Sequence, residues 1–80
     1  MKLPIIKKLV ENYSYEELEA AENAIAEEQK AEIEVPGDDE GEQLTHVYAA
    51  MTIKQDMEQN DKDLKTALRD YTSRVRESLS

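Results

Sequence analysis

The first residues in this sequence whose types and spacing could do chemistry are Glu42 and His46. Four positions apart on a helix, they share one face and can reach one point, as two metal ligands do. Asp38, Asp39 and Glu40 stand just upstream and would add carboxylates. A site of this kind holds one imidazole and needs a second subunit to complete it, because the chain has a single histidine. The structural alternative assigns Glu42 to a helix N-terminus and His46 to an apolar contact. It carries more weight, since acids are abundant along the chain and the Glu-x-x-His spacing of di-iron bundles is missing.

Other constellations fail on spacing. Asp38-Asp39-Glu40-Gly41 lacks the period and closing glutamate of a calcium loop, and Asn60-Asp61-Lys62-Asp63 lacks its glycine. There is no cysteine, so disulfides, thiolate metal sites and cysteine nucleophiles are excluded. Ser14, Ser73, Ser78 and Ser80 have no histidine near in sequence, and no glycine-rich phosphate loop is present. Tyr13, Tyr48 and Tyr71 fall on apolar stripes and read as core or interface residues rather than catalytic ones. No catalytic residue and no cofactor are expected, and a metal on Glu42 and His46 ranks last among the readings.

The elements that would position these residues are helices. Residues 3–12 form a short first helix, with Pro4 in the opening turn, where a missing N–H costs nothing. Leu3, Ile6, Val10 and Tyr13 share its stripe, and Leu9 widens it. Ser14 followed by Glu17 is a capping box, and Tyr13 with Leu18 can staple it. A second helix therefore starts near Tyr15 and is expected to reach about Lys30, with Leu18, Ala21 and Ile25 inward. Ile33-Glu34-Val35 is a short extended piece before Pro36, since the residue preceding proline avoids helical dihedrals. A turn-rich loop, residues 36–41, leads to a third helix over about residues 42–59, capped by Asp38, Asp39 or Glu40. Asn60 or Asp61 is expected to cap a fourth helix bearing Leu64, Leu68, Tyr71, Val75 and Leu79 on one stripe. The short connection makes the last two helices an antiparallel hairpin.

The third helix is apolar on two sides. Leu44, Val47, Tyr48 and Met51 make one stripe; His46, Ala50, Ile53 and Met57 make another, roughly opposite. Such a helix is either central in its bundle or lies at a subunit interface. Three short neighbours are too few to enclose it. The second stripe is therefore expected to be the interface of a homo-oligomer, a dimer first.

Charge is unevenly spread. The formal net charge is −9, yet residues 1–10 carry three lysines and no acid. Residues 11–42 carry thirteen acids against Lys30 alone, and residues 43–80 balance. This disfavours nucleic acid and anionic membranes as partners. It leaves the acidic segment as a solvated face or a docking face for a basic protein. The N-terminal apolar run stops at Lys7, too short for a signal peptide or membrane span, so a cytoplasmic protein is expected.

The opening Met1-Lys2-Leu3-Pro4-Ile5-Ile6-Lys7-Lys8-Leu9, the stretch 18–22, the run Asp39-Glu40-Gly41-Glu42-Gln43-Leu44-Thr45-His46 and the closing stretch 71–76 resemble a family of small uncharacterised bacterial proteins. The resemblance covers nearly the whole chain and implies one intact small domain. That family has no assigned activity, so no functional residue transfers.

These readings together predict a single all-α domain over residues 1–80, a small bundle of about four helices. Its function is expected to be that of a non-enzymatic, self-associating interaction module. An acidic binding protein for a basic partner is the alternative, and a metal-binding protein the third.

Overall fold

The computed structural model describes the backbone of residues 2–79 and the side chains of residues 2–78. Four helices follow one another: α1 (Leu3–Asn12), α2 (Tyr15–Ala26), α3 (Glu40–Gln59) and α4 (Leu64–Leu79). They form the all-α bundle expected from the periodicity, with no strand among the described residues. Residues 29–39 cross the bundle without regular structure and drop Val35 into the core.

α3 is the axis. α1, α2 and α4 each pack against it, and α1 touches α4 only lightly. Its buried residues His46, Val47, Ala49, Ala50, Met51 and Ile53 extend around most of the helix. Ala49 and Ala50 remove bulk where neighbours approach closest, and both are fully covered. Around them close Ile6, Leu9 and Val10 from α1, Leu18, Ala21 and Ile25 from α2, and Ala67 from α4. Each fully buried Leu or Ile contributes about 1.5–3 kcal/mol. Leu3, expected on the inner stripe of α1, is instead exposed.

Two long-range hydrogen bonds set α1 on α3. The Lys2 N–H donates to Nε2 of His46 at 3.2 Å, and Nζ of Lys54 donates to the Val10 carbonyl at 2.9 Å. Both pairs are 44 residues apart in sequence, so α1 and α3 run side by side in the same direction. Val10 lies in the last turn of α1, where carbonyls lack intrahelical partners. Lys54 thus caps a helix that has no basic residue of its own there.

The helix boundaries sharpen the sequence reading in three places. The Ser14–Glu17 capping box forms as expected, with Ser14 N–H to Glu17 Oε1 at 3.0 Å and Glu17 N–H to Ser14 Oγ at 3.2 Å. α2 ends at Ala26, short of Lys30. Its apolar stripe finishes at Ile25, and Glu28 turns left-handed at φ 60°. Glu28 N–H then bonds the Ile25 carbonyl and Gln29 N–H bonds the Ala24 carbonyl, a Schellman closure with glutamate where glycine is usual. Asp39 is the cap of α3, accepting Glu42 N–H at 2.7 Å, so that helix starts two residues early.

The cap of α4 is neither Asn60 nor Asp61. Asn60 closes α3, Asp61 is left-handed at φ 51°, and Lys62 N–H returns to the Met57 carbonyl. Asp63 then caps α4, its Oδ1 accepting Thr66 N–H at 2.8 Å. This extra turn brings Leu64, Leu68, Tyr71 and Val75 onto one side of α4, all half-buried. The Leu79 side chain, expected to continue the stripe, lies outside the described residues.

Candidate functional site

His46 is fully buried, with 0% exposure. Its Nδ1 donates to the Pro36 carbonyl at 2.9 Å, while Nε2 accepts the Lys2 N–H. The two partners fix the Nδ1–H tautomer. One ring therefore ties together the start of α1, the loop before α3 and α3 itself. Glu42 Oε1 stands 4.0 Å from Nε2, beyond hydrogen-bonding reach. A metal at Nε2 would have to displace the Lys2 N–H. Among the described residues no group of three or more His, Asp or Glu is placed to hold one.

The stripe expected to meet another chain does not face solvent. Ala50 and Ile53 are fully buried alongside His46, and Met57 is half-buried. The cover is α1, held along this side of α3 by the bonds at His46 and Lys54. Within a single chain His46, Ala50 and Ile53 are core, and Met57, expected with them at an interface, packs half-buried against it. Three short helices suffice to cover them because α1 lies lengthwise along the stripe.

The opposite stripe of α3 is covered unevenly. There Val47 and Met51 are buried, but Leu44 is only half-buried and Tyr48 is 62% exposed. Here α2 and α4 stand apart and leave a trough with α3 as its floor. Leu44, Tyr48, Thr45 and Tyr71 line it with Glu22 and Ala26 of α2. Further along, Tyr15, Glu19 and Glu22 face Tyr48, Met51, Thr52 and Gln55. Tyr71 projects from the α4 wall, and burial pushes its hydroxyl above the ordinary tyrosine range, with the nearby Tyr48 adding to the shift. Arg74, one turn further along α4, opposes it.

No curated protein and no solved structure matches the chain. A family model matches it over residues 1–80. The chain belongs to the family of unknown function DUF6952. No activity comes with the family. The open aromatic trough of α3 is thus the feature of this chain least explained by its own folding. Sequence periodicity located Tyr48 on an apolar stripe, but exposure depends on the gap between α2 and α4, which periodicity does not report. No helix among the described residues is long and apolar enough to cross a membrane.

Beyond the trough, a polar network locks the α3–α4 turn. Lys62 Nζ bridges Asp56 at 3.1 Å and Asp70 at 2.8 Å, and Arg74 Nη2 reaches Asp56 at 3.9 Å. Hydrogen bonds from Asn60 and then Lys62 hold the Asp56 carboxyl below the ordinary carboxylate range. The bonds to Asp70 and then Asp56 raise Lys62 above the ordinary lysine range.

Proposed function

We propose that this protein is a non-enzymatic interaction module that self-associates through the trough between α2 and α4. The observation that carries this reading is Tyr48. A large aromatic side chain, 62% exposed, projects from the central helix of the bundle. Aromatic residues anchor interfaces because they bury much area while fixing few rotors. Leu44 and Tyr71, both half-buried, line the same trough and extend its apolar surface. The bundle's histidine, by contrast, spends both ring nitrogens on holding the fold together.

Light scattering behind size exclusion over a range of loading concentrations tests the reading. The expected result is a concentration-dependent mass above the monomer, lowered by Tyr48→Glu. A wild type that stays monomeric throughout would count against it.

A second reading rests on the exposed acids Glu16, Glu17 and Glu19 of α2 and Glu27 and Glu28 beyond it. They suit a basic protein partner that is steered in by charge. Association with such a partner would slow markedly as salt rises. A rate indifferent to salt would remove this alternative.

A further inference from the structure

α1 is tied to α3 at both ends, and only one of the two ties can gain a proton. We infer that His46 is an acid-operated latch: a proton taken up at Nε2 releases the Lys2 N–H, and the first turn of α1 lifts from α3. As a neutral ring, His46 donates through Nδ1 to the Pro36 carbonyl at 2.9 Å and accepts through Nε2 at 3.2 Å. Once protonated, an imidazole has two donors and no acceptor. The bond to Pro36 survives that change, while the bond to Lys2 becomes donor against donor. Glu42 Oε1 stands 4.0 Å from Nε2 with 27% of its side chain exposed, so a small rotation lets it accept the new N–H.

The first turn of α1 is poorly held by other polar contacts. Lys2, its cap residue, makes no side-chain cap bond, and no acid in that turn complements the helix dipole. The Lys2 carbonyl accepts the N–H groups of Ile5 and Ile6, so freeing Lys2 loosens the whole turn. At the far end Lys54 Nζ donates to the Val10 carbonyl, a contact that acid leaves in place because an ammonium is already fully protonated. That end is the hinge.

Among the described residues, the charged group that faces Nε2 is Glu42. Lys2, Lys7 and Lys8 of α1 and Glu34 and Asp38 of the loop are exposed, and Asp39 is bonded to the Glu42 N–H. α2 and α4 contribute apolar residues to the core, Leu18, Ala21 and Ile25 from the first and Ala67 from the second. Because the seated turn covers the ring completely, the proton arrives when the turn lifts and then bars its return. Acid thus shifts an existing equilibrium toward the open form. Ile6, buried in that turn, is uncovered with it.

Carbon chemical shifts of the full chain, followed by NMR from about pH 8 to about pH 5.5, test the latch. The helical Cα shifts of residues 3–6 should be lost with the same midpoint as the His46 ring titration. Those of Leu9 and Val10, beside the hinge, and those of α2 should hold. Glu42→Gln should move the midpoint to lower pH, since the charged ring then lacks its carboxylate. His46→Gln keeps a donor and an acceptor but cannot titrate, and should hold the turn closed throughout. An α-amino group at Met1 titrates in the same range and is retained in His46→Gln, so that variant separates the two. Should His46→Gln not fold, the Glu42→Gln shift decides alone. A first turn that stays helical while the ring titrates overturns the latch. So does a ring that takes up no proton above about pH 5.5, a midpoint unmoved by Glu42→Gln, or an opening that persists in His46→Gln.

Discussion

Nε2 of His46 accepts the backbone N–H of Lys2 across 44 residues of sequence, at 3.2 Å, while the opposite ring nitrogen donates to Pro36. The histidine is thus the joint at which three separate segments of the bundle are held. Its truncation leaves a donor and an acceptor without partners and opens a void beside Ile53 and Ala50. His46→Ala should destabilise the fold by about 2–4 kcal/mol. His46→Phe restores most of the volume but neither bond, and should recover only part of that loss. Chemical denaturation of the three proteins measures this, and equal midpoints for wild type and His46→Phe would show that the bonds contribute nothing.

Lys54 holds the other end of α1 through the Val10 carbonyl. Lys54→Met keeps most of the apolar stem and removes the donor. A loss of about 0.5–1.5 kcal/mol is expected. The effect should be local as well as global. Amides in α1 should exchange with solvent faster than those of α2, which has its own capping box. Uniform acceleration across both helices would contradict a specific tether.

These two tethers also explain what the sequence could and could not show. The Ser14–Glu17 box is legible because all its partners lie within four residues. The two apolar stripes of α3 are equally legible, since periodicity is a local property. Which stripe is covered depends on where α1 lands, and that is decided by contacts 44 residues apart. So periodicity offers the stripe of Ile53 as an interface although α1 covers it within the chain, and it gives no sign that Tyr48 is left 62% exposed on the other side. The turn after α3 misleads for another reason. Asn60, Asp61 and Asp63 are all competent caps by type, and only the left-handed turn at Asp61 hands the role to Asp63.

Glu28 sits at φ 60° and Asp61 at φ 51°, both at positions that close a helix. A side chain there crowds the backbone, whereas glycine adopts this region without penalty. Glu28→Gly should therefore stabilise by about 0.5–1 kcal/mol, read as a rise in thermal midpoint. Asp61→Gly should gain less, because aspartate tolerates the left-handed region better than glutamate does. A fall in midpoint for Glu28→Gly would mean that its side chain makes a contact worth more than the strain.

Gly37 presents the opposite case. At φ 157° its missing Cβ faces Gln43, where an added carbon would sit 2.7 Å from Cγ and 2.9 Å from the backbone nitrogen. The side chain of Gln43 can swing aside, but its nitrogen belongs to the first turn of α3 and cannot. Gly37→Ala should cost about 1–3 kcal/mol. The loop from Pro36 would shift with it, so the His46–Pro36 bond should weaken and the His46 ring resonances should move. An unchanged midpoint would show that the 36–39 loop adapts without strain.

The turn between α3 and α4 should give stability a dependence on pH at both ends of the scale. Asp56 and Asp63 are held below the ordinary carboxylate range, the first by Asn60 and Lys62, the second by Thr66. A carboxylate with a lowered folded value binds fewer protons than in the unfolded chain. Its contribution is therefore complete above the unfolded value of about 3.9 and is lost as pH falls through the lowered folded value. Lys62 is raised by Asp70 and Asp56, so its contribution is complete below the unfolded value of about 10.4 and is lost as pH climbs through the raised one. Asp63 is exposed and Lys62 keeps part of its side chain in solvent, although only 11% of the Asp56 side chain is exposed, so the effects should be modest and should shrink with added salt. Asp56→Asn should flatten the acid limb of a stability–pH curve, and Lys62→Met should flatten the alkaline limb. Asp56→Asn should weaken the alkaline limb too, since Lys62 leans on Asp56 as well as Asp70. An alkaline limb that survives Lys62→Met unchanged would assign that dependence to other groups.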